Sequence, residues 1–291
     1  IATGSKPFIP PVQGVDLKGV ISFRDIYDVN SMIKYCETKK NAVVIGGGLL
    51  GLEAAYGLKQ RGMNVTVLHL MDRIMERQLD GRASRMLRHS IEEKGIKIIT
   101  EANTEALIGK DGHVNQVRLK DGTVLDADLV VFAVGIRPNI ALAQSAGLRC
   151  NRGILVNDTM QTFDPSIYAV GECIEHRNQT FGLVEPLWGQ AFICATHLAE
   201  HGSLTFKSPT VPTQLKVSGV DVFSAGNFEP KEDYEDIILN DEKRQIYKRI
   251  IIQKDKVIGA VLFGDTEDGM WYAELIADQT PISTFRNKLL F

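Results

Sequence analysis

The apolar positions of this chain change period several times, and each change predicts an element. Ile26, Val29, Ile33 and Cys36 recur at helical spacing within Asp16 to Lys40, which predicts a helix there. The unbroken run Ala42-Val43-Val44-Ile45 predicts a buried strand; it ends in glycines, and Leu50 to Gln60 then reads as a helix. Asn64 to Leu70 predicts a second buried strand directly after Gly62. Strand, glycine turn, helix and strand together make one βαβ unit. Residues 80 to 94 read as an amphipathic helix closed by Gly95, followed by a strand from Ile96 to Thr100.

Beyond that unit the period shortens. Lys110-Asp111-Gly112 and Lys120-Asp121-Gly122 punctuate short alternating segments, the pattern of a β-meander, and Asp128 to Val134 reads as the strand leaving it. Gly135-Ile136-Arg137-Pro138-Asn139 breaks the pattern and reads as a crossing between domains. Ser166 to Val170 predicts a strand, and a helix begins near Pro186, since proline suits a first helical turn. From Lys207 the chain is β-rich: Gln214 to Ser218, Asp221 to Gly226, and a hairpin of Tyr247 to Ile252 with Val257 to Phe263. The opening Ile1-Ala2, leading into Thr3-Gly4-Ser5 and the proline-rich Pro7 to Pro11, reads as the end of a buried strand and its exit turn. The expected divisions are 1–14, 15–137, 138–206 and 207–291. The fold class is α/β: a three-layer Rossmann-like domain carrying the meander, a further strand-and-helix segment, and a small C-terminal α+β domain.

Composition narrows the partners. With 291 residues and 44% apolar content the chain can bury a sizeable core. A formal charge of −3 gives no general attraction to nucleic acid or to anionic membranes, and neither is expected as a partner. The most apolar run, Leu129 to Ile136, is too short to cross a bilayer, so the expected location is the cytoplasm. Cys36, Cys150, Cys173 and Cys194 are scattered without a C-x-x-C pair, which argues against a redox dithiol or metal cluster; four mostly buried thiols are expected.

The chemistry concentrates at Gly46-Gly47-Gly48-Leu49-Leu50-Gly51, which satisfies G-x-G-x-x-G. Gly46 allows the tight turn, Gly48 lets a pyrophosphate approach the backbone, and Gly51 lets helix and strand pack closely. The phosphates would meet free N–H groups at the positive end of the following helix. An acidic residue about 20 positions on usually accepts from the ribose 2′-hydroxyl. Here His69 holds that place, with Asp72 and Arg73 just beyond, so a 2′-hydroxyl and a 2′-phosphate both stay open. A strand-end histidine capped by solvent is the alternative for His69.

Ala2-Thr3-Gly4, the glycine turn through Glu53, Val134 to Asn139, and Tyr168-Ala169-Val170-Gly171-Glu172 resemble, in order, the two-dinucleotide flavoprotein reductases of glutathione-reductase fold. Val67 to Arg73 with Glu76 to Asp80, and Gly171-Glu172-Cys173 followed by Gly182-Leu183-Val184, look most like the nitrite-reductase large-subunit branch. The C-terminal part is similar to the third domain of NADH:rubredoxin reductases.

The resemblance implies NAD(P)H against Gly46, Gly48, Leu49, Leu50 and Gly51, with His69, Asp72 and Arg73 at the ribose. Glu53, placed on the first turn of the helix, would act at the nicotinamide as the catalytic residue, or serve only as a carboxylate favoured by the helix dipole. Thr3, Gly4, Gly135, Ile136, Arg137, Gly171, Glu172, Leu187 and Trp188 are the further cofactor contacts it implies. Glu172 would meet a flavin ribityl hydroxyl, and the helix at Leu187 and Trp188 would direct its amides at the flavin; Trp188 as a packed aromatic is the alternative.

By motif order the single glycine fingerprint is the NAD one. The chain is therefore expected to be a fragment: 1–14 and 138–206 belong to an FAD domain whose first half lies elsewhere, 15–137 bind NAD(P)H, and 207–291 form an interface domain. Siroheme and iron–sulfur centres are expected only outside the chain, and no metal within it. The electron acceptor would be such further domains or a small redox protein, and a homodimer is open. A stand-alone rubredoxin or ferredoxin reductase is the alternative, and a non-enzymatic nucleotide-binding module a third reading. His197-Leu198-Ala199-Glu200-His201 matches the H-x-x-E-H of some zinc peptidases, but its place at a helix end before Gly202 favours exposed imidazoles over a metal.

Overall fold

The computed structural model describes residues 1–199, 204–208, 212–230 and 233–290, arranged as two compact units. One comprises Ile1–Phe8 with Gly135–Val211, the other Ile9–Val134 with Pro212–Phe291.

The second unit is built on a five-stranded parallel sheet in the order Val20–Ser22, Leu129–Phe132, Asn41–Ile45, Asn64–Leu68, Ile96–Ile99. The central strand is buried from Ala42 to Ile45, which is why its sequence is an unbroken apolar run. Its side chains still alternate. Val44, with Val131 and Val67 beside it, joins the core formed by Leu52, Leu58, Leu87 and Ile91 of the helices. Val43 and Ile45, with Val130 and Phe132, meet Leu107, Val117 and Leu119 of the meander strands Thr104–Lys110 and His113–Leu119. Helices, parallel sheet and meander are thus three layers, and each fully buried leucine contributes about 2 kcal/mol of transfer free energy.

The helix expected from Asp16 starts only at Ile26. Val20–Ser22 are drawn out as an edge strand paired with Leu129–Phe132, and Asp25 and Asp28 then form a reciprocal capping box that fixes the helix start.

Residues from Thr213 add a five-stranded antiparallel sheet in the order Thr213–Val217, Val220–Gly226, Lys256–Phe263, Ile246–Gln253, Glu235–Asp241. Phe223, Ala260 and Leu262 face the helix Gly269–Asp278 through Tyr272, Leu275 and Ile276. Val222, Tyr247, Val261 and Phe263 instead enter the core that contains Leu52 and Leu87. Residues 212–290 and 9–134 therefore share one hydrophobic core.

In the first unit Ser5–Pro7 pair antiparallel with Ile136–Pro138. Ile154–Leu155, Ile174–His176 and Gln179–Thr180 make a small sheet, and the helix Glu185–Leu198 carries Pro186 in its first turn. The strand expected at Ser166–Val170 does not form. Tyr168 makes only an isolated bridge to Gln161, and the Val170 amide donates to the Ile1 carbonyl, because neighbouring Asp164 and Ser166 close a side-chain turn that bends the backbone.

Of the cysteines, Cys173 and Cys194 are buried and Cys36 and Cys150 half-buried, all as free thiols. His197 accepts or donates at 2.7 Å with the Tyr168 hydroxyl. Glu200 and His201 of the H-x-x-E-H pattern lie outside the described residues. No helix among the described residues is long and apolar enough to cross a membrane.

Candidate functional site

The glycine turn leaves the central strand with Gly46 at φ +123°, and a Cβ there would stand 2.2 Å from the Ala133 carbonyl oxygen. A Cβ on Gly51 would stand 1.9 Å from the Gly46 carbonyl oxygen, so this glycine is what lets helix and strand touch. Gly48 differs: among the described residues nothing lies within 4 Å of an added Cβ. It is the N-cap of the helix Leu49–Gln60, no side chain caps that end, and the first-turn amides keep their donors for an outside acceptor. Leu49 is half-buried and Leu50 is exposed beside it. The turn therefore has one open side, at Gly48, and it is lined by backbone N–H groups at the positive end of a helix.

His69 supports the turn from beneath. It is 8% exposed, its Nδ1 accepts from the Gly47 amide at 3.0 Å, and its Nε2 lies 3.0 Å from Glu76 Oε2. Since Gly47 must donate, the ring proton belongs on Nε2 and is given to Glu76. Both ring nitrogens are thus engaged within the protein, and the ring is neither solvent-capped nor open to a ribose. The next residues, Leu70, Met71 and Asp72, are exposed. Arg73 Nη2 donates to Glu229 Oε1 at 2.6 Å, while Asp72 stands 3.9 Å from the same guanidinium.

Glu53 is the fifth residue of its helix, just beyond the first turn, because the helix begins at Leu49 rather than Leu50. That weakens the dipole account of the residue, since the dipole effect is confined to the first turn. Glu53 borders a cleft of about 500 Å³ against Phe23, Val29, Met32 and Ile33 of the neighbouring helix and its lead-in. Glu53 is an exposed residue, and partial desolvation raises its carboxyl above the ordinary glutamate value.

The first unit holds the other expected contacts. Thr3 Oγ1 donates to the Asn139 carbonyl at 2.6 Å, and Asn139 Nδ2 returns a bond to the Thr3 carbonyl at 3.3 Å. Gly4, Gly135 and Gly171 each leave open space where a Cβ would stand. Ser5 Oγ donates to Glu172 Oε2 at 2.6 Å. The Arg137 guanidinium lies 3.9 Å above the Phe8 ring, so its flat face is engaged. Gln190, fully buried, accepts from the Gly171 amide at 2.8 Å through Oε1, while its buried Nε2 has no partner among the described residues. Leu187 is half-buried at the start of the helix, and Trp188 is 72% exposed rather than packed.

A buried amide with an unused donor, beside a glycine open on one side, fits a polar group of an FAD laid against Gly171; the open cradle at Gly48 fits a nucleotide pyrophosphate. Ser5, Glu76, Gln190 and Glu229 carried no sequence signal as parts of these sites. Among the described residues no cluster of three or more His, Cys, Asp or Glu side chains is placed to hold a metal.

Fold and glycine cradle are those of a dinucleotide-binding domain. The chain belongs to the pyridine nucleotide-disulphide oxidoreductase family, which residues 1–191 match, and residues 212–280 match the rubredoxin NAD+ reductase C-terminal domain. It is 50% identical over 283 residues to the nitrite reductase [NAD(P)H] of Bacillus subtilis (strain 168), covering 97% of this chain and 35% of that protein. It is 42% identical over 290 residues to the assimilatory nitrate reductase electron transfer subunit of the same organism, covering 100% of this chain and 38% of that one. The chain thus spans little more than a third of these relatives. Among solved structures it resembles an NAD-dependent persulfide reductase from A. fulgidus with TM-score 0.89 and 30% identity, over 99% of this chain and 58% of that chain.

Proposed function

We propose that this chain is the NAD(P)H- and FAD-binding part of an assimilatory nitrite reductase large subunit. It takes hydride from NAD(P)H onto FAD and sends electrons on to siroheme and iron–sulfur centres outside the chain. The observation that carries the reading is the open, backbone-lined cradle at Gly48, in a chain half of whose residues are identical to a nitrite reductase.

In this reading residues 15–137 hold NAD(P)H, residues 1–14 and 138–206 hold FAD, and residues 207–291 form the interface domain. The amides of Gly48, Leu49 and Leu50 take the pyrophosphate, with Gly46 and Gly51 fixing the turn and His69 bracing it through Gly47. Glu53, its carboxyl raised by partial desolvation, orients the nicotinamide carboxamide as a hydrogen-bond partner. FAD, when bound, supplies the hydride-accepting ring and the step to one-electron carriers. Glu172 takes a ribityl hydroxyl; Thr3, Gly4, Gly135, Ile136, Arg137 and Gly171 shape the FAD pocket, and the amides at Leu187 and Trp188 face the flavin. The activity is proposed for the cytoplasm, with further electron-accepting domains or a small redox protein as partner and a homodimer still open as the assembly.

A second reading, delivery of electrons to rubredoxin or ferredoxin, is favoured by the match of residues 212–280 to the rubredoxin reductase C-terminal domain. Anaerobic mixing of the whole protein with NADH or NADPH decides between outcomes. The proposal expects loss of the oxidised flavin's visible absorbance, and its return when nitrite is added. Return on adding oxidised rubredoxin or ferredoxin but not nitrite favours the second reading, and no bleaching at all contradicts both.

A further inference from the structure

Resting on the reading that residues 46–51 hold a dinucleotide, we propose that Glu229 is a specificity-determining residue: it occupies Arg73 and so makes the site one for NADH against NADPH. In domains of this kind the side chain ending the second strand usually decides, a carboxylate receiving the 2′-hydroxyl or an arginine nearby accommodating a 2′-phosphate. That position is His69, and both its nitrogens are committed, to Gly47 and to Glu76. The choice passes to the loop that follows.

This loop is pinned to the glycine turn at both ends. His69 Nδ1 accepts from the Gly47 amide, and the Met75 amide donates to the Gly47 carbonyl at 3.0 Å. Residues 70–74 therefore run alongside the glycine turn at Gly47. Their one cation is Arg73, and it is already paired with Glu229 at 2.6 Å, 156 positions away, with Asp72 at 3.9 Å. Arg77, the next cation along, is 86% exposed and lies 3.8 Å from Glu76.

Two carboxylates against one guanidinium give Asp72, Arg73 and Glu229 a formal charge of −1. A 2′-phosphate, carrying about two negative charges at neutral pH, must displace Glu229 or lie beside it. A 2′-hydroxyl meets carboxylate oxygens able to accept from it.

Glu229 is held from its own side. Phe228 packs against the core shared with the nucleotide domain, and its carbonyl is 3.5 Å from Arg249 Nη1. The same guanidinium bonds Asp80 at 3.2 Å and Asp236 at 2.9 Å. The C-terminal sheet thus positions a residue that acts on the nucleotide through Arg73.

The test is equilibrium binding of ADP-ribose and 2′-phospho-ADP-ribose, neither of which transfers hydride, to the whole protein as wild type, Glu229→Gln, Arg73→Gln and the double variant. Wild type is expected to bind ADP-ribose the more tightly. Glu229→Gln is expected to shift the ratio toward the 2′-phosphate about fivefold, the scale of a half-exposed ion pair, less at high salt, and the shift is expected to vanish in the double variant. An unchanged ratio in Glu229→Gln, a shift that survives without Arg73, or a wild type preferring the phosphate overturns the proposal. Binding of neither ligand to wild type refutes the dinucleotide reading itself, and this inference with it.

Discussion

The Tyr247 hydroxyl donates to Asp80 Oδ2 at 2.8 Å, tying the C-terminal antiparallel sheet to the start of the helix Gly81–Glu93. The other Asp80 oxygen caps that helix by accepting from the Ala83 amide at 2.9 Å. Burial, and then the bond to Asp80, push the phenol upward, so it stays protonated and keeps donating through the whole neutral range. One carboxylate thus serves a helix cap, a tyrosine and the Arg249 guanidinium at once.

Parting the two sheets would expose the apolar core that they share, so residues 9–134 and 212–290 are expected to unfold together. Tyr247→Phe is expected to cost about 1–2 kcal/mol, and Asp80→Ala about 2–4 kcal/mol, because it removes the helix cap and leaves Arg249 to Asp236. Urea titration followed by fluorescence checks this: a single transition with a lowered midpoint is expected, and two separate transitions contradict the shared unit.

Two glycines three residues apart, Gly48 and Gly51, should fail in opposite ways. Gly48→Ala adds a methyl to open space at φ −84°, so the fold is expected to be unaffected while the pyrophosphate is kept off the amides, weakening ADP-ribose about tenfold. Gly51→Ala drives a methyl into the Gly46 carbonyl and is expected to lose about 1–3 kcal/mol of stability or more. Thermal melting with and without ADP-ribose separates the two effects.

Much of this was legible from spacing alone. The strand Asn41–Ile45, the glycine turn and the helix after it follow from an apolar run, three glycines and a 3.6-residue period, all local signals. Val20–Ser22 escaped because a three-residue edge strand has too few positions to show alternation, and Ser166–Val170 misled because an apolar run reads as a strand even where side-chain turns bend it. The glycine turn's open side was predictable; its support was not. Gly47 to His69 spans 22 positions and Arg73 to Glu229 spans 156, and no local pattern encodes such pairings.

Acid should loosen the first unit through Asp158. The hydrogen bonds from Arg177 and then His176 hold its carboxyl down at about 2. A carboxyl depressed in the folded state stabilises above its unfolded value, about 3.9, and that contribution is lost as pH falls toward the folded value. Asp158→Asn is expected to flatten the stability profile between about pH 4 and pH 2 and to leave its slope above pH 5 unchanged. Near-ultraviolet circular dichroism during acid titration reads the difference; an equally steep acid limb in the variant contradicts it.

Gln190 offers a test of flavin binding. Gln190→Leu removes the acceptor for the Gly171 amide together with the unused buried donor. Flavin retained per protein after dialysis is expected to fall severalfold in the whole protein, and about 1–3 kcal/mol of stability to go with the orphaned amide. Flavin retention equal to wild type contradicts a role for this side chain at the FAD.

Amide hydrogen exchange across residues 46–53, with and without ADP-ribose, tests the central claim most directly. Slowed exchange at Gly48, Leu49 and Leu50 on adding the ligand is the predicted result. Ligand binding that leaves these three amides exchanging at their unliganded rate would contradict the account.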